Sequence, residues 1–342
     1  MNKQAARLRI ELMPKWLLCI PLVAQWFWLG ARFRSLTLPS AINPGIETGG
    51  LAGESKSTCL ALIPPVAATW VAKWQTVSPG QDPHACREAS ALPYPLIAKP
   101  DIGWCGYGVR RIDTDQELAD YHAAFPDTGS YILQRYIADP MEAGLFYVRP
   151  PSARHGQLLS VTIRHAPSVT GDGTSSISTL LAANPGLRHL AAALSPAKLA
   201  QIPAPGEQTT LTTVASLRVG ATYENASAQA SCRLLARIDT IARAMPGFHL
   251  GRFDVRFATL AHLQRGHFTI IEVNGAGSEA IHLWDPATPI AKSFAGVFAK
   301  QTLLFQLGAA MRKLGHQPVG ILTLARAWIR QQRLIAQYPA SN

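Results

Sequence analysis

The chain has 342 residues, 48% of them apolar, enough to bury one large core or two smaller ones, and about two domains is the expectation for this length. Lys and Arg outnumber Asp and Glu by 32 to 21, a formal charge of +11, which favours polyanionic ligands such as nucleotides or an anionic membrane surface. Nucleic acid is excluded from the reading because no Lys/Arg run resembles a binding arm and the arginines are not interleaved with aromatics.

The five cysteines, Cys19, Cys59, Cys86, Cys105 and Cys232, are odd in number and lack any CxxC pair, which points to a reducing, cytoplasmic compartment and no zinc site. At the N-terminus, MNKQAARLRIELMPKWLLCIPLVAQWFWLGARFR places basic residues before an apolar run from Trp16 to Ala31, the outline of a signal peptide. The run falls short of the roughly 20 residues a spanning helix needs. It also contains Pro21 and Gln25 and has no small-x-small cleavage pattern before Arg32. It reads as part of the folded body, with a membrane-surface or acyl-binding patch on Trp16, Trp26 and Trp28 as the alternative, so peripheral membrane contact stays open.

Residues 36–54, LTLPSAINPGIETGGLAGE, form a long Gly- and Pro-rich connection of the kind that is often functional. SKSTCLALIPPVAATWVAKW predicts a helix broken at Pro64 and Pro65, then a strand over about Ala68 to Lys73. A short buried strand from Pro95 ends at Lys99, Gly108 to Ile112 returns, and Asp113 or Thr114 caps the helix DTDQELADYHAAF. SYILQRYI (130–137), EAGLFYVR and LLSVTIRH read as strands, and GDGTS (171–175) is a turn into a helix with Ile177, Leu180 and Leu181. Ala226 to Ala244 is an amphipathic helix. GRFDVRF and HFTIIEVN are strands joined by a turn near His262 to Gly266, and about 290–337 is helical, with Trp328 to Arg330 packing on the body or on a partner. The mixture argues for an α+β or α/β architecture.

Two stretches carry chemistry. In PLIAKPDIGWCGYGVRRI (95–112), Lys99 precedes Gly103, Gly106 and Gly108 in the order GxxGxG, which is neither a P-loop nor a dinucleotide fingerprint. A plain hairpin explains it, and so does a phosphate lid whose backbone N–H groups close over oxyanions beside the lysine charge. Cys105 has no His or acid partner nearby and reads as packing. In the second stretch, a hairpin centred near residue 263 sets Asp254 opposite Glu272, with Asn274 on the same face. Two carboxylates and an amide oxygen suit Mg2+, and a lone Glu272 inside the apolar run FTIIEVN is costly without a partner. The alternative is an Asp on a solvent-facing strand paired with Arg252 or Arg256.

Taken in order, these pieces resemble the ATP-grasp superfamily, in particular its carboxylate-amine ligases such as D-alanine-D-alanine ligase, glutathione synthetase and cyanophycin synthetase. The resemblance runs from about Glu54 to Asp285. It implies phosphate contacts from Lys56 in ESKSTCLALIP, from Lys99 and its glycine loop, and from Arg164 at the head of RHAPSVTGDGTSSISTLL. It implies adenine contacts from the hinge YILQRYI (Gln134, Tyr136, Ile137) and a ribose contact from Glu142 in ADPMEAGLF. In GRFDVRF it gives Arg252 the transferring phosphate and Asp254 a magnesium ion, and in IIEVNGAGSEAIHLWDP it makes Glu272 and Asn274 further metal ligands. Gln134 stands where glutamate is frequent and Arg164 where lysine is common, a change of geometry as well as residue.

The implied fold is an α+β ATP-grasp in which two subdomains sandwich ATP. Its expected divisions are an apolar and Gly/Pro-rich segment (1–54), a central subdomain with the lid (55–133), a C-terminal subdomain with the metal site (134–290) and a helical tail (291–342). The implied activity is an ATP- and Mg2+-dependent ligase that joins a small-molecule carboxylate to an amine through an acyl phosphate, with Arg252 and Lys99 as catalytic groups. A non-catalytic nucleotide-binding protein and a phosphotransferase working at a membrane surface are the alternatives, and a homo-oligomer stays open.

Overall fold

The structure, a computed structural model, describes residues 15–341. The residues before Lys15, including the basic part of the targeting-like outline, lie outside the described residues.

The elements follow in chain order. Helix α1 spans Lys15–Arg32 and contains Pro21, and short 3-10 turns follow at Leu38–Ala41 and Glu47–Gly50. Helix α2 (Lys56–Ala61) begins where the Ser55 hydroxyl accepts the Thr58 N–H at 3.1 Å. Pro64 and Pro65 break the helix as expected, but the strand expected over Ala68 to Lys73 is a 3-10 turn, Pro65–Trp70, and β1 begins later at Trp74–Val77. Pro65 fixes φ at the first position of that turn, and this outweighs the extended preference of the residues behind it.

Helix α3 (Pro83–Ala89), β2 (Leu96–Pro100), β3 (Arg110–Ile112), α4 (Asp115–Ala124, capped by Thr114) and β4 (Tyr131–Arg135) come next. They lead into β5 (Met141–Val148), β6 (Gln157–His165), β7 (Ser168–Thr170), α5 (Ile177–Ala182), α6 (Pro196–Ala200), β8 (Gln208–Thr210) and β9 (Thr222–Asn225). The amphipathic helix expected from Ala226 starts at Cys232, because Ser231 caps it and Ser227–Gln229 forms a separate 3-10 turn; α7 is Cys232–Ala244. Strands β10 (Leu250–Phe257) and β11 (Thr269–Asn274) flank a short helix, α8 (Leu260–Gln264), where a turn was expected. The tail is α9 (Ile290–Lys313) and α10 (Ile321–Ile335). The fold class is α+β, with a helical tail.

Contacts divide the chain into two discontinuous units. The first comprises the residues up to Val71, Asp139–Ile163 and Tyr223–Arg330. It carries the sheet β11-β10-β5-β6-β9, in which β10 runs antiparallel to both β5 and β11. One core cluster joins Ile42, Phe146, Val148 and Leu250 to Leu283, Leu304 and Leu307. A second sets Leu29, Leu38 and Phe305 against Trp26, whose ring meets Phe305 edge-on at 5.0 Å and whose indole N–H reaches the Leu36 carbonyl at 3.0 Å. The other unit comprises Ala72–Ala138, Arg164–Thr222 and the chain from Gln331. Its antiparallel sheet, β1-β4-β2-β3, packs on α4 through Leu96, Ile112, Leu118, Tyr121, Tyr131 and Leu133. Among the described residues no helix is long and apolar enough to cross a membrane.

Candidate active site

The hairpin β10–β11 organises the charged face of the first unit. Its register pairs Arg252 with Asn274, Phe253 with Val273 and Asp254 with Glu272, and it slips by one residue only beyond Asp254. Alternation buries Phe253, Val255 and Val273 in the core. Arg252, Asp254, Glu272 and Asn274 therefore share the opposite face.

On that face the charges are matched. The Arg252 guanidinium grips Asp254 with two of its nitrogens, Nε to Oδ1 at 2.7 Å and Nη2 to Oδ2 at 3.1 Å, and its Nη1 donates to the Glu279 carbonyl at 3.1 Å. The Asn274 amide approaches Asp254 Oδ2 at 3.4 Å, and Asp254 is only 1% exposed. On β5, Gly144 stands opposite Asp254, and a Cβ there would lie 2.9 Å from Arg252 Cδ, so the missing side chain makes room for the ion pair. Lys56, buried at the start of α2, places Nζ 3.5 Å from Glu272 Oε1.

A residue outside the expected site set completes this face. Glu54 Oε2 accepts the Gly275 N–H at 2.8 Å and, at 4.0 Å, the Cys59 thiol. Burial pushes its carboxyl up to about 7; Gly275, Lys56 and Arg252 oppose the rise and Glu272 adds to it. Two glycine-rich turns interlock here, with Ala276 N–H donating to the Gly49 carbonyl at 3.0 Å and Gly277 N–H to that of Gly50 at 2.7 Å. Sequence reasoning passed over Glu54 because it lies in a loop without periodicity; an acid directly before a Ser-capped helix, following a run of glycines, was the available signal. Lys300 of α9 donates to the Ser278 carbonyl at the end of the same turn, and burial lowers its ammonium to about 8, with Glu279 opposing the shift and Arg252 reinforcing it.

Glu142 also belongs to this unit. It is buried on β5 and pairs with Arg256 at 3.5 Å, so its carboxylate already faces a guanidinium.

In the other unit, Lys99 lies on β2 opposite Ile132 and is 5% exposed. The hairpin β2–β3 pairs Leu96 with Ile112 and Ala98 with Arg110, and Gly103, Gly106 and Gly108 all fall in the loop it closes. Cys105, Gly106 and Gly108 have φ of 49°, 73° and 71°, which two glycines accommodate without strain. The loop is anchored by its carbonyls. Arg218 donates to Cys105 O at 3.1 Å and Gly106 O at 3.3 Å, Ser216 reaches Cys105 O at 3.2 Å and Ser341 reaches Gly106 O at 2.7 Å. On β4 the Gln134 amide is buried and reaches the Ala72 carbonyl at 3.4 Å, Tyr136 lies under the Arg111 guanidinium at 4.8 Å, and Ile137 follows. Arg164 clamps the Ala215 carbonyl with Nε and Nη2.

The first unit thus brings together Lys56, Arg252, Asp254, Glu272 and Asn274 and adds Glu54, while Lys99, the three glycines, the hinge residues and Arg164 belong to the second. Among the described residues no three His, Cys, Asp or Glu side chains form a group able to hold a metal ion. The set Asp254, Glu272 and Asn274 matches a hard cation in donor chemistry, being all oxygen once the amide presents Oδ1. Each of its carboxylates is paired with a cation of the same chain.

This α+β chain with a charge-paired antiparallel hairpin is similar to solved ligases. No family model and no curated protein matches it. A D-alanine–D-alanine ligase from Bacillus anthracis is similar over 79% of this chain and 71% of its own, with a TM-score of 0.47 at 14% identity. The VanG D-Ala:D-Ser ligase from Enterococcus faecalis gives 0.44 at 17% identity over 76% of this chain and 63% of its own. A bifunctional glutathione synthetase from Pasteurella multocida gives 0.39 at 15% identity over 72% of this chain and 36% of its own.

Proposed function

We propose that the protein is an ATP-grasp ligase, dependent on ATP and Mg2+, that joins a small-molecule carboxylate to an amine through an acyl phosphate. The observation that carries the proposal is the pairing of Asp254 with Glu272 on one hairpin face, with Arg252, Asn274 and Lys56 around them. Two carboxylates and two cations gathered on one sheet face suit phosphoryl transfer, because charge spread over the transferring oxygens must be met by fixed positive groups.

In this reading Asp254, Glu272 and Asn274 hold magnesium, which supplies charge neutralisation at the phosphates. Arg252 is oriented by its two-point grip on Asp254 and presents a planar donor fork to a transferring phosphoryl group. Lys56, held by Glu272, contributes a point charge. Lys99, Gly103, Gly106, Gly108 and Arg164 carry the phosphate contacts that the resemblance implies, Gln134, Tyr136 and Ile137 those to adenine, and Glu142 that to ribose. Glu54 fixes the backbone of the turn that follows the metal ligands.

The test is release of ADP by the purified chain with Mg2+, ATP and panels of carboxylates and amines, beside Asp254→Asn and Glu272→Gln. Both variants are expected to lose turnover while keeping the far-UV circular dichroism of the parent. Near-parental turnover by either variant sinks the metal assignment. Binding of Mg-ATP without ADP release under any acid and amine favours the non-catalytic nucleotide-binding alternative.

A further inference from the structure

Two helices of the first unit present apolar faces to solvent, where an ordinary surface helix is polar. On α1 the exposed residues Ile20, Val23, Ala24, Phe27, Trp28 and Ala31 recur at steps of three and four, a continuous stripe over three turns; Phe27 and Trp28 are 58% and 57% exposed. The opposite side of α1 is the packed one, with Gln25, Trp26 and Leu29 against α9. On α10 Ile321, Leu322, Ala325, Trp328 and Ile329 form a second stripe of the same spacing, with Leu322 69% and Trp328 55% exposed. The buried side of α10 in this unit is Ala327, which packs against Gly53.

The two stripes leave from one region. Thr37 and Ser40, just beyond α1, hold Val319 through its carbonyl at 2.7 Å and its N–H at 2.9 Å, two residues before α10 begins. Arg312 donates to the carbonyl of Phe33 at 3.0 Å, next to the end of α1. Exposed Leu314 lies between these anchors.

Charge decides what covers them. Neither helix contains an Asp or Glu, while in this unit α1 carries Arg32 and α10 carries Arg326 and Arg330. Arg34, Arg312 and Lys313 add to the positive rim. A second copy would bring like charges together across an apolar seam. An anionic bilayer instead accepts aromatic and aliphatic side chains at the headgroup level and attracts the surrounding arginines. We infer that α1 and α10 form a peripheral docking surface for an anionic lipid membrane, lying on it rather than crossing it.

The inference stands apart from the ligase proposal, and its readout needs no turnover. The full chain is mixed with vesicles of phosphatidylcholine alone, or of phosphatidylcholine with phosphatidylglycerol, and sedimented at low and high salt. The expected result is co-sedimentation with the anionic vesicles only, weakened by salt. Phe27→Ser with Trp28→Ser on one helix, and Trp328→Ser with Ile329→Ser on the other, are each expected to lower the partition coefficient about tenfold or more. Arg326→Gln with Arg330→Gln is expected to lower it by about tenfold, most strongly at low salt. All of these positions are exposed, and unchanged thermal unfolding certifies the folded state of each variant. Absence of co-sedimentation by the parent chain overturns the inference, as does equal binding of the serine variants or equal binding to neutral vesicles. A parent chain that sediments as a dimer, and that the serine pairs turn monomeric, overturns it in favour of a second copy.

Discussion

Glu54 gives the most direct test of the charged face, because its environment sets a sign as well as a size. Its carboxyl sits at about 7 in the folded protein against an ordinary 4.5. Below 4.5 both folded and unfolded chains carry the proton and no penalty exists. Between 4.5 and about 7 the unfolded chain releases it and the folded chain does not, so stability falls as pH rises and levels off above about 7. The span is about 2.5 pH units (about 7 minus 4.5), and at about 1.4 kcal/mol per unit the loss is about 3 kcal/mol. Glu54→Gln keeps an acceptor for the Gly275 N–H and never ionises. Equilibrium urea unfolding of both proteins, in chelator so that no metal enters, isolates the effect, since every other titrating group is common to the two. The parent is expected to lose about 3 kcal/mol relative to Glu54→Gln as pH rises from below 4.5 to above about 7. A difference between the two proteins that stays constant across that window refutes the buried, neutral carboxyl.

Two further outcomes follow from the same face. Gly277→Ala puts a Cβ 2.5 Å from the Gly50 carbonyl oxygen and 2.9 Å from that of Leu51, backbone atoms that cannot swing aside. A loss of about 1–3 kcal/mol is expected, read by urea unfolding, and an unchanged midpoint contradicts the interlocked turns. Because Asp254 and Glu272 are each held by a cation of the chain, Mg2+ alone is expected to bind at least about tenfold more weakly than Mg2+ with a non-hydrolysable ATP analogue. Calorimetry checks this, and equal affinity with and without the nucleotide contradicts it.

The hairpin was legible because antiparallel pairing keeps the sum of partner numbers constant, so a short connection near residue 263 sets Asp254 against Glu272 with little freedom. The bulge beyond Asp254 was not, since nothing in the type of Ile270 and Ile271, one buried and one half-buried, says which of them the pairing skips. Lys99 at the end of its strand and Thr114 as a cap were local signals and were readable. Ala68 to Lys73 reads as strand on side-chain preference, yet Pro65 commits the chain to a 3-10 turn through Trp70. The partner of Glu54 was hidden for a different reason. It is a backbone N–H 221 residues away, and backbone donors leave no trace in residue identity. Trp26 and Trp28 look alike in the N-terminal run, but two positions on a helix differ by about 200°, which turns one ring into the core and the other to solvent.

The charged face explains its own burial. Asp254 alone at 1% exposure would be untenable, and Arg252 makes it tolerable through two hydrogen bonds in one plane. Lys56 does the same for Glu272 from a helix start that the Ser55 cap holds in place. The charges of these two pairs cancel, so the face persists without any ligand. The same cancellation limits what can bind. In the proposed ligase a divalent ion shares the carboxylates with Arg252 and Lys56, whose charge is then met by an anion. A phosphate chain with its own magnesium meets both demands at once, whereas a bare metal ion or a bare carboxylate meets only one. Under the proposed function, the pairing that holds the face together in isolation therefore also favours a metal–polyphosphate ligand over either of its parts.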